Sequence, residues 1–318
     1  MIKPLPVLLC LLLKTTAFGA DPAITRAVER SILLIEKSVA TYVKARDCFT
    51  CHHQALPLMA LSNAKRAGFK IDDQVIQAQT KFTLEYFADR QDRLPKGQGV
   101  VGGPYTAGYA LAGLHAAQAD ASATAKALVA YLLKTQQPDG SWRIRTHRPP
   151  LEDSHFTATA LALDGLLGGS DEEVGAAWHR GIQWLQKANP KSTEDRVFQI
   201  LGLGIDSKTA LETARKLLAT QQKDGGFAQL PGMQSDAYAT GQAIMALRAA
   251  NEHKQFAPAI ERAKKWLVAN QKPDGSWHVK SRSRPIQKYF ESGFPHGKDQ
   301  FISISATCWA VLALTGNK

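Results

Sequence analysis

Gln136-Gln137-Pro138-Asp139-Gly140-Ser141-Trp142 returns as Gln221-Gln222-Lys223-Asp224-Gly225-Gly226-Phe227 and again as Gln271-Lys272-Pro273-Asp274-Gly275-Ser276-Trp277. Each copy ends a stretch with the apolar spacing of an amphipathic helix, residues 123–135 before the first and 257–270 before the third. Its chemistry is that of a stop signal. Pro or Lys and Asp set a turn, and Gly accepts the left-handed backbone that closes a helix. The aromatic at the end is placed to plug the gap beside the next hairpin.

After each phrase comes a second helix of different character, small and apolar on nearly every face: 106–117, 156–167, 239–249 and 303–315. A helix apolar all round must be buried all round. Residues 55–67 and 197–205 complete this inner set, and 23–44, 73–90, 123–135, 172–187, 208–220 and 257–270 form the amphipathic outer set. Six outer helices alternating with six buried ones predict an all-α fold, an α/α toroid of six helical hairpins in two concentric rings. An open solenoid of the same hairpins is the alternative.

The glutamine-to-tryptophan phrase resembles the repeat of squalene-hopene cyclases and related prenyltransferase-type toroids, where it locks neighbouring hairpins together. That resemblance implies an architecture and leaves the reaction open. Class II terpene cyclases protonate an alkene with a D-x-D-D segment, which is absent here, and the inner helices hold few aromatic faces for a cation beyond Tyr109, Phe156, Phe198 and Trp309. The zinc site of protein prenyltransferases has no counterpart around Cys308.

Residues 1–20 read as a secretory signal peptide: Lys3, an apolar run from Pro4 to Leu13, and Ala17-Phe18-Gly19-Ala20 at the cleavage position. A retained short anchor is the alternative. The remainder, 21–318, is expected to be a single domain, periplasmic or secreted, with no transmembrane segment. The formal net charge of +11 falls to +9 once Lys3 and Lys14 are removed.

Cys48-Phe49-Thr50-Cys51-His52 is the sharpest chemical signal. It matches the haem-attachment motif of cytochromes c, which implies covalent haem c on Cys48 and Cys51 with His52 as an axial iron ligand. A local Cys48–Cys51 disulfide is the competing reading, and zinc is disfavoured because no second pair of cysteines follows. A third toroid family, the complement-type thioester domains, carries C-G-E-Q where this chain has Cys51-His52-His53-Gln54. Met59 lies about 10 Å along the helix from His52 and cannot bracket the same iron. A sixth ligand is therefore sought across the mouth, from His155, His296 or His147.

The outer-to-inner links are the long ones, residues 91–104, 143–154 and 278–300, and all must emerge at one end of the ring. Such loops on a rigid scaffold are where function concentrates. Two of them are basic, with Arg143, Arg145, His147 and Arg148 in one and Lys280, Arg282, Arg284, Lys288 and Lys298 in the other. This rim suits an acidic redox partner protein or a small anionic ligand, or is simply solvated. Without interleaved aromatics, nucleic acid is not expected.

Polar residues at the starts of the inner helices aim at the cavity: Tyr105, Asp153, His155, Asp236, Tyr238, His296, Lys298 and Asp299. Asp153 and Asp236 read equally as N-caps. The expected function is an exported c-type haem protein, redox-active or ligand-binding at the cavity mouth. The alternatives are an enzyme acting on an apolar, isoprenoid-like substrate through Asp153, His155 and Asp236, and a non-haem scaffold or thioester-type domain.

Overall fold

The computed structural model describes residues 21–316 apart from 168, 170, 251, 252, 286 and 287; the signal-peptide expectation for residues 1–20 lies outside them. Six outer helices, α1 (Pro22–Ala45), α3 (Asp73–Ala88), α5 (Ala123–Thr135), α7 (Glu172–Lys187), α9 (Lys208–Leu218) and α11 (His253–Asn270), alternate with six inner ones. The inner helices are α2 (Leu56–Arg66), α4 (Pro104–Ala116), α6 (His155–Leu166), α8 (Thr193–Leu203), α10 (Ala237–Ala249) and α12 (Gln300–Thr315). Among the described residues there is no strand, and no helix is long and apolar enough to cross a membrane.

The two sets differ as their sequences demand. Outer helix α9 buries Ala210, Thr213, Ala214 and Leu217, one stripe at helical spacing. Inner helix α12 is buried along its whole length from Gln300 to Thr315. Each inner helix packs against the inner helix before and after it, and α12 packs on α2, so the inner ring is closed.

The repeated phrase makes the stitches. The Gln136 side chain donates from Nε2 to Gly140 O at 2.9 Å and to Ala177 O of α7 at 2.7 Å. Gln221 does the same to Gly225 O and to Ala259 O of α11. Gln271 donates to Ala27 O at 2.8 Å and to Ser31 Oγ at 2.9 Å, both on α1. The third stitch thus joins the last hairpin to the first, which excludes the open solenoid. Gly275 shows why the turn needs glycine: φ is +89°, and a Cβ would lie 2.6 Å from Arg30 O of α1.

Because Gln271 carries the closure, Gln271→Ala should cost about 1–3 kcal/mol, leaving the Ala27 and Gly275 carbonyls without these bonds. Urea unfolding of the variant measures it; a cost near zero would show that packing alone closes the ring.

Two boundaries differ from the sequence expectation in a way that matters. α8 begins at Thr193, four residues before the expected Val197, under a reciprocal capping box of Ser192 and Asp195. Before α2, Cys51–Ala55 forms a π-helical turn, with Thr50 accepting at its start from His53 N.

Candidate functional site

The π turn carries Cys51 and His52 of the Cys-x-x-Cys-His motif, and Cys48 lies in the segment before it. The motif's two sulfurs have different neighbours. Cys48 Sγ lies 3.3 Å from the hydroxyl of Tyr42 on α1, whereas the field felt by Cys51 comes from Glu152 and Arg148. Both are free thiols, so the local disulfide is not formed. Burial, with Glu152 adding to it, pushes the Cys51 thiol up to about 12 and keeps it protonated at neutral pH.

His52 is placed against His53, with Nδ1 atoms 2.5 Å apart, and against the rings of Phe301 and Tyr42. Burial holds His52 neutral, its pKa lowered to about 3, with Arg148 acting in the same direction; burial also lowers His53 well below the usual range. The residue brought to His52 is therefore His53, and none of the three expected sixth ligands. His155 accepts from Ile144 N at 3.3 Å, His296 pairs through Nε2 with Ser276 Oγ at 2.7 Å, and His147 pairs with Asp153 at 2.5 Å. Among the described residues no three His, Cys, Asp or Glu side chains are arranged to hold a metal ion.

Facing Cys51 across the interior stand Tyr105 and Tyr109 of α4, Tyr238 of α10 and Glu194 of α8. All four are buried, and each tyrosine hydroxyl is raised first by burial and then by its neighbours in this group. Glu194 accepts from Thr157 Oγ1 at 2.7 Å and from the Tyr238 hydroxyl at 3.1 Å. Burial, reinforced by Asp153 and Asp195, raises its pKa to about 8 despite those two bonds. At neutral pH this side chain is a carboxylic acid with a proton to give.

A small cavity of about 10 Å³, the size of a single water site, opens beside it, lined by Glu194 and Thr193 from α8, Tyr238 and Gln242 from α10, and Asp153, Gln229 and Arg282 from the loops. Above it the two basic loops clasp each other, since Asp153 pairs with Arg282 at 3.1 Å as well as with His147. Asp153 is thus an ion-pair partner and not an N-cap; Ser154 caps α6, accepting from Phe156 N. Asp236 does cap α10, accepting from Ala239 N at 3.0 Å, with burial raising it to about 6.

The expected basic rim is partly neutralised. Arg143 pairs with Asp139, Arg148 with Glu152 and Arg282 with Asp153. Arg145, Lys280 and Arg284 are exposed, as is Lys298 in the short 3₁₀ turn Gly297–Asp299. Asp299 accepts from Ser281 N at 2.9 Å and meets His278 at 2.8 Å.

Glu194 was missed from the sequence, and the capping box was the signal that could have found it. With α8 started at Thr193, Glu194 is the second residue of its inner helix, as Tyr105 and Tyr238 are of theirs.

The comparisons with known proteins fit this geometry. Residues 191–318 match the squalene-hopene cyclase C-terminal domain. Among solved structures, the type II terpene cyclase MstE from Scytonema superposes with a TM-score of 0.61 at 15% identity, covering 93% of this chain and 98% of that one. The chain folds like a terpene cyclase. A protein from Actinoplanes gives 0.56 at 15% identity over 92% and 98% of the two chains. A possible member of the GH105 family from Klebsiella pneumoniae gives 0.50 at 16% over 99% and 98%. A search of curated proteins finds no match. At these identities the likeness speaks for the toroid and not for a reaction.

Proposed function

We propose that the protein is an enzyme acting on an apolar, isoprenoid-like molecule held in the toroid lumen, with Glu194 as the proton-transferring group. The observation that carries this reading is a buried carboxylic acid, protonated at neutral pH, at the edge of the lumen cavity and steadied by Thr157 and Tyr238. A general acid works best when its pKa lies near the working pH. The fold agrees: a solved complex of the Scytonema cyclase holds geranylgeranyl dihydroxybenzoate, named there as substrate. The apolar contributions to the cavity wall beside the acid come from Pro150, Ala239 and the ring of Tyr238. An acid of this strength suits proton transfer at an oxygen function rather than at an unactivated alkene.

Incubation of the purified protein with detergent-dispersed isoprenoids, followed by mass spectrometry, tests the reading. Glu194→Gln should lower any conversion by about 10²–10⁴-fold while leaving far-UV circular dichroism unchanged. Conversion at the wild-type rate by that variant overturns the assignment.

A second reading keeps the cytochrome-like motif. It is favoured by the two free thiols and by His52, whose hydrogen bonds are made through Nδ1 and not through Nε2. For both sulfurs to meet one porphyrin edge, the Cys48–Tyr42 contact would have to open, and the rings of Tyr42 and Phe301 would have to leave the face of His52. Haem bound there would supply redox chemistry at the lumen. Protein made together with haem-attachment machinery should then show a Soret band that survives denaturation and acid extraction; colourless protein removes this reading.

A further inference from the structure

The lumen is not lined as a container for plain hydrocarbon. Gln242 on α10 is fully buried at the cavity wall, and neither its amide oxygen nor its amide nitrogen has a hydrogen-bond partner. Across the interior the hydroxyls of Tyr105 and Tyr109 are likewise buried and unpartnered. Such groups are costly to bury unless something of matching chemistry pairs with them. A saturated or olefinic chain alone would leave them unpaired, while a molecule with a donor and an acceptor would satisfy them.

The charge pattern narrows the class. Arg282, the cation on the cavity wall, is committed to Asp153, and Arg148 to Glu152. A diphosphate would enter beside those two carboxylates and find no uncommitted cation on the cavity wall. A carbonyl could use the donors alone. A hydroxyl both donates and accepts, which is what an amide with two open positions and a pair of tyrosine hydroxyls can receive.

We infer that the lumen takes a neutral, hydroxyl-bearing isoprenoid, and that Gln242 is the residue which selects the alcohol over the hydrocarbon and over the diphosphate. The inference rests on the isoprenoid reading above and deepens it. Gln242 is a specificity residue and need not touch the reacting bond.

Binding, rather than turnover, tests it: tryptophan fluorescence titrations of the whole protein with geranylgeraniol, geranylgeranyl diphosphate and squalene in matched detergent. Wild-type protein should bind the alcohol at least about tenfold more tightly than either competitor. Gln242→Met, close in volume, should lose that preference while still binding the hydrocarbon. Its melting temperature should rise by a few degrees, since two unpaired buried atoms are removed. A merely structural glutamine would instead lower the melting temperature, and that result overturns the inference. Equal or tighter wild-type binding of squalene or of the diphosphate also overturns it, on wild-type protein alone, and leaves the isoprenoid reading standing. If none of the three binds, the isoprenoid reading itself falls and this inference with it.

Discussion

Glu194→Gln should become more stable than the wild-type protein as the pH is raised from about 4.5 to about 8. In the folded chain the acid titrates near 8, raised by burial and by Asp153 and Asp195; in the unfolded chain it titrates near the ordinary glutamate value of about 4.3. A raised carboxyl pKa means that the folded state binds the proton more tightly. Its contribution is fully present below the unfolded value and is lost as the pH climbs through the folded one. Glutamine keeps the shape, can accept from one of the Thr157 and Tyr238 hydroxyls through its amide oxygen and donate to the other through its amide nitrogen, but it does not titrate. The difference in unfolding free energy between variant and wild type should therefore be flat below pH 4.5. It should then rise by up to about 1.4 kcal/mol per pH unit, and level off above pH 8 at a total of up to about 5 kcal/mol. His52 and His53, held neutral by burial, add an acid-labile contribution of opposite sign, but both proteins share it and the difference cancels it. Urea unfolding at half-unit pH steps measures the curve. A difference independent of pH would mean that Glu194 is ionised in the folded protein, and the proton-transfer role would go with it.

The hairpin order could be read from local chemistry because the signals that end these helices are local. Residues 123–135 and 172–187 fall where expected: Ser122 caps the first, accepting from Ala125 N, and the Gln136 phrase ends it, while Asp171 stands at the N-cap of the second. The start of α8 was hidden by its own polar residues. Thr193-Glu194-Asp195-Arg196 is polar, and polar residues at the head of a buried helix read as a loop unless the capping box is given priority over periodicity. Gln242 was hidden for another reason. A glutamine in mid-helix is ordinarily solvated, and only the closure of α10 against α8 and α12 removes it from water. The Cys-x-x-Cys-His motif was visible, but spacing alone does not say where two thiols point. That Cys48 meets Tyr42 while the π-helical turn places Cys51 in the field of Glu152 and Arg148 is a tertiary outcome. Cap assignments split along the same line. Asp236 keeps its cap on α10, whereas Asp153 is drawn into the loop-to-loop contact with Arg282, from a chain segment far away in sequence, and leaves the cap to Ser154.

Trp277→Ala should cost about 3–5 kcal/mol, the range for a buried aromatic truncated to alanine. Trp277 is 2% exposed, donates from Nε1 to Leu267 O at 2.8 Å and is held at its backbone N by Thr307 Oγ1 at 3.3 Å. Truncation leaves a cavity between α11 and α12 and removes the Leu267 carbonyl's indole partner. Trp142 makes the matching bond to Leu132 O at 2.7 Å, so the two sites can be compared directly. Nature has already placed a phenylalanine at the equivalent position of the second phrase, where Phe227 is fully buried without an indole N–H to donate. Trp277→Phe should accordingly retain most of the packing and cost only about 1–2 kcal/mol, the share of the hydrogen bond and the smaller ring. The two tryptophans part company in cooperativity. Trp142 lies inside the run of hairpins, whereas Trp277 belongs to the phrase whose Gln271 and Gly275 sit on α1, at the seam between last hairpin and first. Loss of Trp142 should shift the urea midpoint at an unchanged slope. Loss of Trp277 should lower the slope as well, because a ring opened at its seam exposes part of its surface before the remainder unfolds. Identical slopes for both alanine variants would show that the seam is no weaker than any other joint, and that closure is maintained by the inner ring through α12 and α2 rather than by the outer stitch.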